Sequence, residues 1–289
     1  MEISGTAHTA TGGAEMARLN GSSNQGRRTA PRSSSDGGLT MSGAPRVSLV
    51  IPARNEARNI AWVLEQIPET VAEVILVDGD STDATLITAR SYRPDIKVVC
   101  QEGIGKGCAL RSGFLAATGD VIVMMDADGS MVPQEINHFL HFLANGYDFV
   151  KGSRFIGGGG SLDITPFRRF GNRFLLAVFN FLYDAELTDL CYGFCAFHRR
   201  YLEHLSLCST GFEIEAEMIV RAMQDGLRIA EVPSLELPRR SGRSNLHSIR
   251  DGIRVLRIVL DRHNSGTPAL IARALPNDSD ARSVTRTYG

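Results

Sequence analysis

From Arg46 onward, short apolar runs rich in β-branched residues alternate four times with segments of helical period. "VSLVIP" (47–52) predicts a buried strand closed by Pro52, and the segment after it has apolar residues at 60, 63, 64 and 67, the 3.6-residue helical spacing. "VAEVILVD" (71–78) predicts a second strand, and "STDATLITARSY" a helix with Ser81 or Thr82 as N-cap and Asp83 in its first turn. "IKVVC" (96–100) and "DVIVMMDAD" (120–128) predict the third and fourth strands, with a helix over 106–117 between them. Unbroken apolar strands separated by helices belong in a mostly parallel α/β sheet covered on both faces.

The second half alternates less regularly. "DFVKGSRF" (148–155) reads as a strand, "GGGG" (157–160) as a mobile loop, and 168–183 as an apolar-rich helix. A strand-to-helix unit at 196–205, a helix over 213–226 with Gly226 as its C-cap, a strand at 228–237 and a last helix at 248–262 follow.

Residues 1–45 are rich in Gly, Ser, Thr, Ala and Arg without hydrophobic period, so disorder is expected there, and Met41 is a plausible true start. From about 264 the tail is expected to be flexible. A net charge of −1 gives no global field that would favour nucleic acid. No apolar run approaches the ~18–20 residues of a membrane span, and the N-terminus lacks a secretory layout. Five cysteines, an odd number, suit reduced thiols in the cytoplasm. Cys191 and Cys195 lack a second Cys or His pair at finger-like spacing, so buried thiols are expected rather than zinc.

Candidate chemistry gathers at strand ends, where open α/β sheets bind ligands. Pro52-Ala53-Arg54-Asn55-Glu56, Asp78-Gly79-Asp80 and Asp126-Ala127-Asp128 all stand at such ends. A lone D-x-D is often a turn or a cap. After a buried strand, beside two other acidic strand ends, Asp126 and Asp128 suit a hard cation, Mg²⁺ or Mn²⁺. Gly103-Ile104-Gly105-Lys106-Gly107 lacks the phosphate-loop spacing, yet Lys106 at a helix start can contribute to an anion site. No G-x-G-x-x-G follows the first strand, which argues against a dinucleotide dehydrogenase.

"VSLVIPARNEARNI", "VILVDGDSTDAT", "GIGKGCALRSGF", "GDVIVMMDADGS", "FVKGSRF", "TDLCYGFCAF", "GFEIEAEM" and "GRSNLHSIRDGIRVLR" occur in that order. Together, over about 46–263, they resemble the family 2 glycosyltransferases of GT-A fold, closest to the dolichyl- or polyprenyl-phosphate mannose synthase branch. The resemblance implies an inverting hexosyl transfer from a nucleotide sugar, linked to UDP or GDP, to a polyprenyl phosphate. It implies that Pro52, Arg54 and Glu56 line the nucleoside pocket, with Asp78 and Asp80 near the base or ribose. Asp126 and Asp128 would hold the metal and diphosphate, Arg154 and Arg239 the phosphates, with Arg243 supplying charge near the late glycine. Arg168 or Arg169 would face the acceptor phosphate. The chain departs from the mannose synthases in carrying Gly129-Ser130 where Leu-Gln often follows D-A-D.

A phosphate acceptor is already ionised, whereas a hydroxyl acceptor, on a saccharide or secondary metabolite, needs a base. Glu213 and Glu215 are the candidates, and both equally suit the dipole of a helix start. In the last helix, Ile249, Ile253, Leu256 and Leu260 form a stripe beside Arg250, Arg254 and Arg257. That pattern fits either a peripheral membrane contact or a helix packed on the domain with solvated arginines. A non-catalytic nucleotide-binding module is the alternative outside enzymes.

Overall fold

The structure is a computed structural model that describes residues 43–264 apart from 243 and 245. The expectations for residues 1–42, for the tail beyond 264 and for Arg243 therefore lie outside the described residues. In chain order the elements are β1 (Val47–Ala53), α1 (Ile60–Glu65), β2 (Glu73–Asp78), α2 (Thr85–Tyr92), β3 (Lys97–Cys100), α3 (Lys106–Ala116) and β4 (Val121–Met124). Next come α4 (Ile136–Ala144), β5 (Phe149–Ser153), β6 (Gly160–Ser161), α5 (Pro166–Tyr183), β7 (Cys195–His198) and α6 (Leu202–Leu205). The last are α7 (Ile214–Gln224), β8 (Ile229–Pro233), β9 (Leu235–Glu236) and α8 (Ser248–Asn264).

Seven strands form one sheet in the order β3-β2-β1-β4-β7-β5-β8. All neighbours are parallel except β7, which runs antiparallel to both β4 and β5. The apolar runs are continuous because alternate residues serve two cores. Leu49, Ile51, Leu76 and Val123 face α1, α2 and α4, whereas Val50, Ile75, Val77 and Ile122 face α3, α5, α7 and α8. Each such fully buried side chain contributes about 1.5–3 kcal/mol relative to exposure. α3 lies close to the sheet because Gly113 has no Cβ to strike Val50 and Val77.

Three local expectations change. The β2–α2 loop does not cap α2 with Ser81 or Thr82; the N-cap position is Ala84, and the Asp83 carboxylate accepts from Thr85 N at 3.0 Å. Ser81 and Thr82 instead tie to Asn55, with Asn55 N donating to Ser81 Oγ and Thr82 N to Asn55 Oδ1, because two adjacent strand-end loops must satisfy each other's amides. The four-glycine run is not open loop. Gly159 N donates to Ile156 O at 2.9 Å, and Gly160 enters β6, which pairs with β9 in a second small sheet. The single late strand expected over 228–237 is broken at Ser234, β8 staying in the main sheet and β9 joining β6.

β1 runs to β2 on one side, and the chain returns to place β4 on its other side, so the connection order reverses between β1 and β4. Their carboxyl ends therefore splay into a crevice. Pro52 and Ala53 end β1 there and Arg54 through Glu56 leave it, while Asp126 through Asp128 follow β4.

Candidate active site

A cleft of about 1040 Å³ opens over that switch point. Pro52, Arg54, Glu56, Lys106, Asp126 and Asp128 line it, as do Arg154, Arg168, Glu215 and Arg239. The D-x-D does not lie on an extended segment. β4 ends at Met124, and the chain turns through Ala127 and Asp128 into Gly129, whose φ is +76°. The two aspartates therefore meet different partners.

Asp126 meets Lys106. Lys106 Nζ stands 2.6 Å from Asp126 Oδ1 and 2.7 Å from Glu215 Oε1, with the Phe212 ring 5.5 Å away. The glycines around Lys106 explain its placement better than a phosphate-loop reading does. A Cβ at Gly105 or Gly107 would meet the backbone of Ser209 and Thr210, and Gly107 N donates to Thr210 O at 2.8 Å. Close approach of α3 to the 209–211 loop thus delivers the lysine between β4 and α7. Gly193 completes the fit, since a Cβ there would stand 2.7 Å from Glu215 Oε1 and 2.8 Å from Lys106 Nζ. Burial pushes the Asp126 carboxyl up to about 6 against the pull of Lys106, with Asp128 and Glu215 adding to the rise. Burial opposes the charge on Lys106, but Asp126 and Glu215 overcome it and hold the lysine protonated.

Asp128 meets Arg239. Arg239 Nη1 lies 3.1 Å from Asp128 Oδ2, and Nη2 is ion-paired to Glu56 Oε1. The second oxygen of Asp128 accepts from Ser130 N at 3.0 Å and Ser130 Oγ at 2.7 Å. Ser130 thus orients the aspartate, a role that no feature of the sequence suggests. Residues 237–242 run across this end of the cleft as a strap. Leu237 N donates to Ser130 O at 2.7 Å, Asn59 Nδ2 to Ser241 O at 3.1 Å, and the Arg240 guanidinium lies 4.6 Å from the Trp62 ring. Gly129 is needed beneath it, because a Cβ would meet the Arg240 side chain and the backbone has positive φ. Burial raises the Glu56 carboxyl, opposed by Asn59 and Arg239.

Arg54 and Asp80 are exposed, the latter at φ +63°. Asp78 is 8% exposed; one carboxylate oxygen accepts from Ser81 N at 3.2 Å, and the other is buried without a hydrogen-bond partner. Arg168 lies 3.9 Å from Asp163, and Arg169 stacks 5.7 Å from the Phe155 ring.

Arg154 is placed differently from a free phosphate ligand. Its Nε and Nη2 bond Asp189 at 2.7 and 3.0 Å, its Nη1 bonds both oxygens of Glu236 at 3.1 and 3.2 Å, and its Nη2 also donates to Cys191 O at 2.7 Å. All three guanidinium nitrogens are thereby engaged. Burial opposes the charges, but this pairing wins: Arg154 is raised and Asp189 is lowered. Tyr192 lies under the guanidinium at 4.8 Å. Sequence reasoning reached Arg154 from its motif and missed Asp189 and Glu236, which are distant in the chain and carry no local pattern.

Of the two candidate bases, Glu215 lines the cleft but is paired to Lys106, while Glu213 accepts from Gly211 N at 3.0 Å and its other oxygen is buried without a hydrogen-bond partner. Cys191 and Cys195 are close in sequence, and burial pushes both thiols up to about 12, so they are protonated at neutral pH. Among the described residues no group of three or more His, Cys, Asp or Glu forms a metal cage. Two carboxylates lining one cleft are nevertheless a donor set that suits Mg²⁺ and Mn²⁺, which keep waters and take further ligands from phosphates. The residues present fit such an ion.

The fold and this cleft are those of a glycosyltransferase of GT-A type. The chain belongs to glycosyl transferase family 2, whose profile it matches over residues 48–206. It is 35% identical over 214 residues to glycosyltransferase AglJ of Haloferax volcanii, covering 71% of this chain and 68% of that one. It is 31% identical to a dolichyl-phosphate hexose transferase of the same organism, covering 71% and 89% of the two chains. It spans smaller shares, 54% and 59%, of two longer relatives. Among solved structures it resembles glucosyl-3-phosphoglycerate synthase of Mycobacterium tuberculosis in complex with Mn²⁺, UDP and glucosyl-3-phosphoglycerate. The TM-score is 0.60 at 25% identity, over 76% of this chain and 80% of that one. The protein is a glycosyltransferase.

Proposed function

We propose that this glycosyltransferase moves a hexose from a UDP- or GDP-sugar to a polyprenyl phosphate at the cytoplasmic face of a membrane, by a single inverting displacement. Asp126 and Asp128 would hold Mg²⁺ or Mn²⁺, which supplies Lewis-acid stabilisation of the departing diphosphate. Pro52, Arg54 and Glu56 would line the nucleoside end, with Asp78 behind them rather than in the cleft lining. Arg239, already at Asp128, would turn from the carboxylates toward phosphate oxygens, a charge-assisted exchange that needs little reorganisation. Arg154 would act by fixing the cleft wall through Asp189 and Glu236 rather than by touching phosphate.

One observation carries the choice of a phosphate acceptor. Each carboxylate that lines the cleft stands within ion-pair distance of a lysine or arginine. Arg239 takes Glu56 and Asp128, and Lys106 takes Asp126 and Glu215. Arg154 takes Glu236, while Arg168 and Arg254 stand 3.9 and 3.6 Å from Asp163 and Asp251. A hydroxyl acceptor needs a carboxylate free to take its proton, and each of these is already engaged by a cation, including Glu56 and Asp126, which burial raises. A phosphate needs none. The cleft also carries the apolar side chains of Phe167, Phe174, Ile249 and Ile253 beside Arg168, Arg250 and Arg254, the mixture a lipid phosphate requires.

The soluble-acceptor reading is favoured by the resemblance to a structure solved with glucosyl-3-phosphoglycerate, itself an anionic compound. Assay of UDP- and GDP-sugars with Mg²⁺ or Mn²⁺, with and without polyprenyl phosphate, separates the two. Lipid-dependent turnover is expected. Turnover with phosphorylated soluble acceptors alone would replace the lipid reading, and no turnover with any nucleotide sugar would end both.

A further inference from the structure

The turn after β2 carries its glycine where the backbone does not call for one. Asp80 stands at φ +63°, in the left-handed region that suits glycine, whereas Gly79 beside it has no positive φ. What position 79 requires is space. A Cβ there would stand 3.0 Å from Gln101 Oε1 and 3.3 Å from both Ala53 O and Arg54 Cβ. The bare backbone thus lets the Gln101 carboxamide lie across the end of β2, close to the end of β1. Two hydrogen bonds fix Gln101 there. Its backbone N–H donates to Asp78 O at 3.0 Å, and its Nε2 donates to Gly103 O at 2.7 Å. Because Nε2 is held by a carbonyl, the orientation of the amide is set and Oε1 is the atom presented beside Gly79. Among the described residues no hydrogen-bond donor reaches Oε1.

The same loop holds Ile104 out into solvent. It is 83% exposed, between Gly103 and Gly105 at φ +88° and +108°, and it lines the cleft together with Gln101, Pro52, Ala53 and Arg54. A large apolar side chain in the lining of a ligand cleft is stabilised when a ligand covers it. Gln101 and Ile104 therefore offer a fixed acceptor atom and an apolar surface within one short loop. A diphosphate suits neither, since its oxygens accept hydrogen bonds as Oε1 does, and the cations Lys106 and Arg239 stand instead at Asp126 and Asp128. A planar heterocycle with a ring N–H suits both, its face on the isoleucine and its edge on the carboxamide. Uracil and guanine share that edge, a ring N–H beside a carbonyl, whereas adenine and cytosine have no ring N–H there. We propose that the β3–α3 loop reads the base of the donor, with Gln101 setting nucleotide specificity and Gly79 giving its carboxamide room. A site built around one hydrogen bond rejects a base that lacks the matching group. The inference deepens the nucleotide-sugar reading and rests on it.

Isothermal titration of the full chain with UDP and with GDP, each with Mn²⁺, identifies the parent nucleotide as the tighter of the two. Its analogue methylated on the ring nitrogen, N3 of uracil or N1 of guanine, should bind the wild type about tenfold more weakly. Gln101→Leu should bind the parent about tenfold more weakly and no longer separate it from the analogue. Gly79→Val, which drives the carboxamide from its place, should give the same pattern. Ile104→Ser should weaken the parent about fivefold and leave the thermal transition unchanged, since that side chain stands in water. Inorganic pyrophosphate with Mn²⁺ has no base and should bind the wild type and the variants alike. Continued discrimination against the methylated analogue by Gln101→Leu would overturn the inference, and so would an equal loss of pyrophosphate binding. Wild-type binding of pyrophosphate but of neither nucleotide would end the UDP or GDP donor reading and this one together. Failure of transfer to a lipid phosphate would remove the acceptor reading alone, because no acceptor enters these titrations.

Discussion

Lys106 and Arg239 give each aspartate of the D-x-D its own resident cation. In the proposed function, metal and diphosphate binding would exchange these pairs, which makes the two basic residues part of the same electrostatic unit as the carboxylates. Asp128→Asn should lower turnover by several kcal/mol of transition-state stabilisation, on the order of a thousandfold, with the fold intact by circular dichroism. Asp126 is pushed up to about 6, so it protonates as pH falls through that value. The kcat/KM profile, which reports the free enzyme, should therefore lose activity on the acid side near pH 6. Lys106→Gln removes a cation that favours the charged carboxylate, so that limb should move to higher pH. A limb that stays in place would remove Asp126 as its source. The sequence shows the aspartates and both basic residues, but not who meets whom: Lys106 and Glu215 lie 109 positions apart.

At the scale of elements, glycine and buried charge set the geometry. α3 can deliver Lys106 because Gly105 and Gly107 lie against the 209–211 backbone. Gly107→Ala should push α3 off that loop and lower the affinity for donor, measured as a rise in KM for the nucleotide sugar, with loss of stability as well. The Arg154 hub joins β5, β9 and the segment before β7. Arg154→Met would leave Asp189 and Glu236 buried without their cation, a cost of about 3–5 kcal/mol measurable by urea unfolding. Burial opposes ionisation of Asp189, yet Arg154 holds its carboxyl below the ordinary range. Its contribution is therefore complete at neutral pH and is lost as pH falls through that depressed value, so the deficit of the variant should shrink in acid. The motif "GSR" is legible in the chain, but its meaning is not, because a phosphate ligand and a structural hub use the same guanidinium.

At the scale of the molecule, the cleft joins the ends of β1 and β4 to the strap at 237–242 and to the outer helices. A ligand that binds across these parts stabilises the whole fold by mass action, about 2.7 kcal/mol at a hundredfold excess over Kd. The correct nucleoside diphosphate with Mn²⁺ should therefore raise the thermal midpoint, and EDTA should cancel the rise. A rise of equal size with EDTA present would exclude a metal link between nucleotide and the D-x-D.

The sequence by itself determined the alternation of strands and helices, the two-sided burial of the strands, and the strand-end positions of Pro52, Asp78 and Asp126. Those follow from local period and from chain reversal, which neighbouring residues dictate. Only the tertiary structure decided that β7 enters antiparallel, that Ser234 divides the last strand region between two sheets, and that Arg154 serves Asp189 and Glu236. It alone revealed that α5 has a second apolar face left outside the core. An apolar residue in a helical pattern reads the same whether it is turned inward or out, and ion pairs between residues far apart in the chain depend on which loops the sheet order brings together.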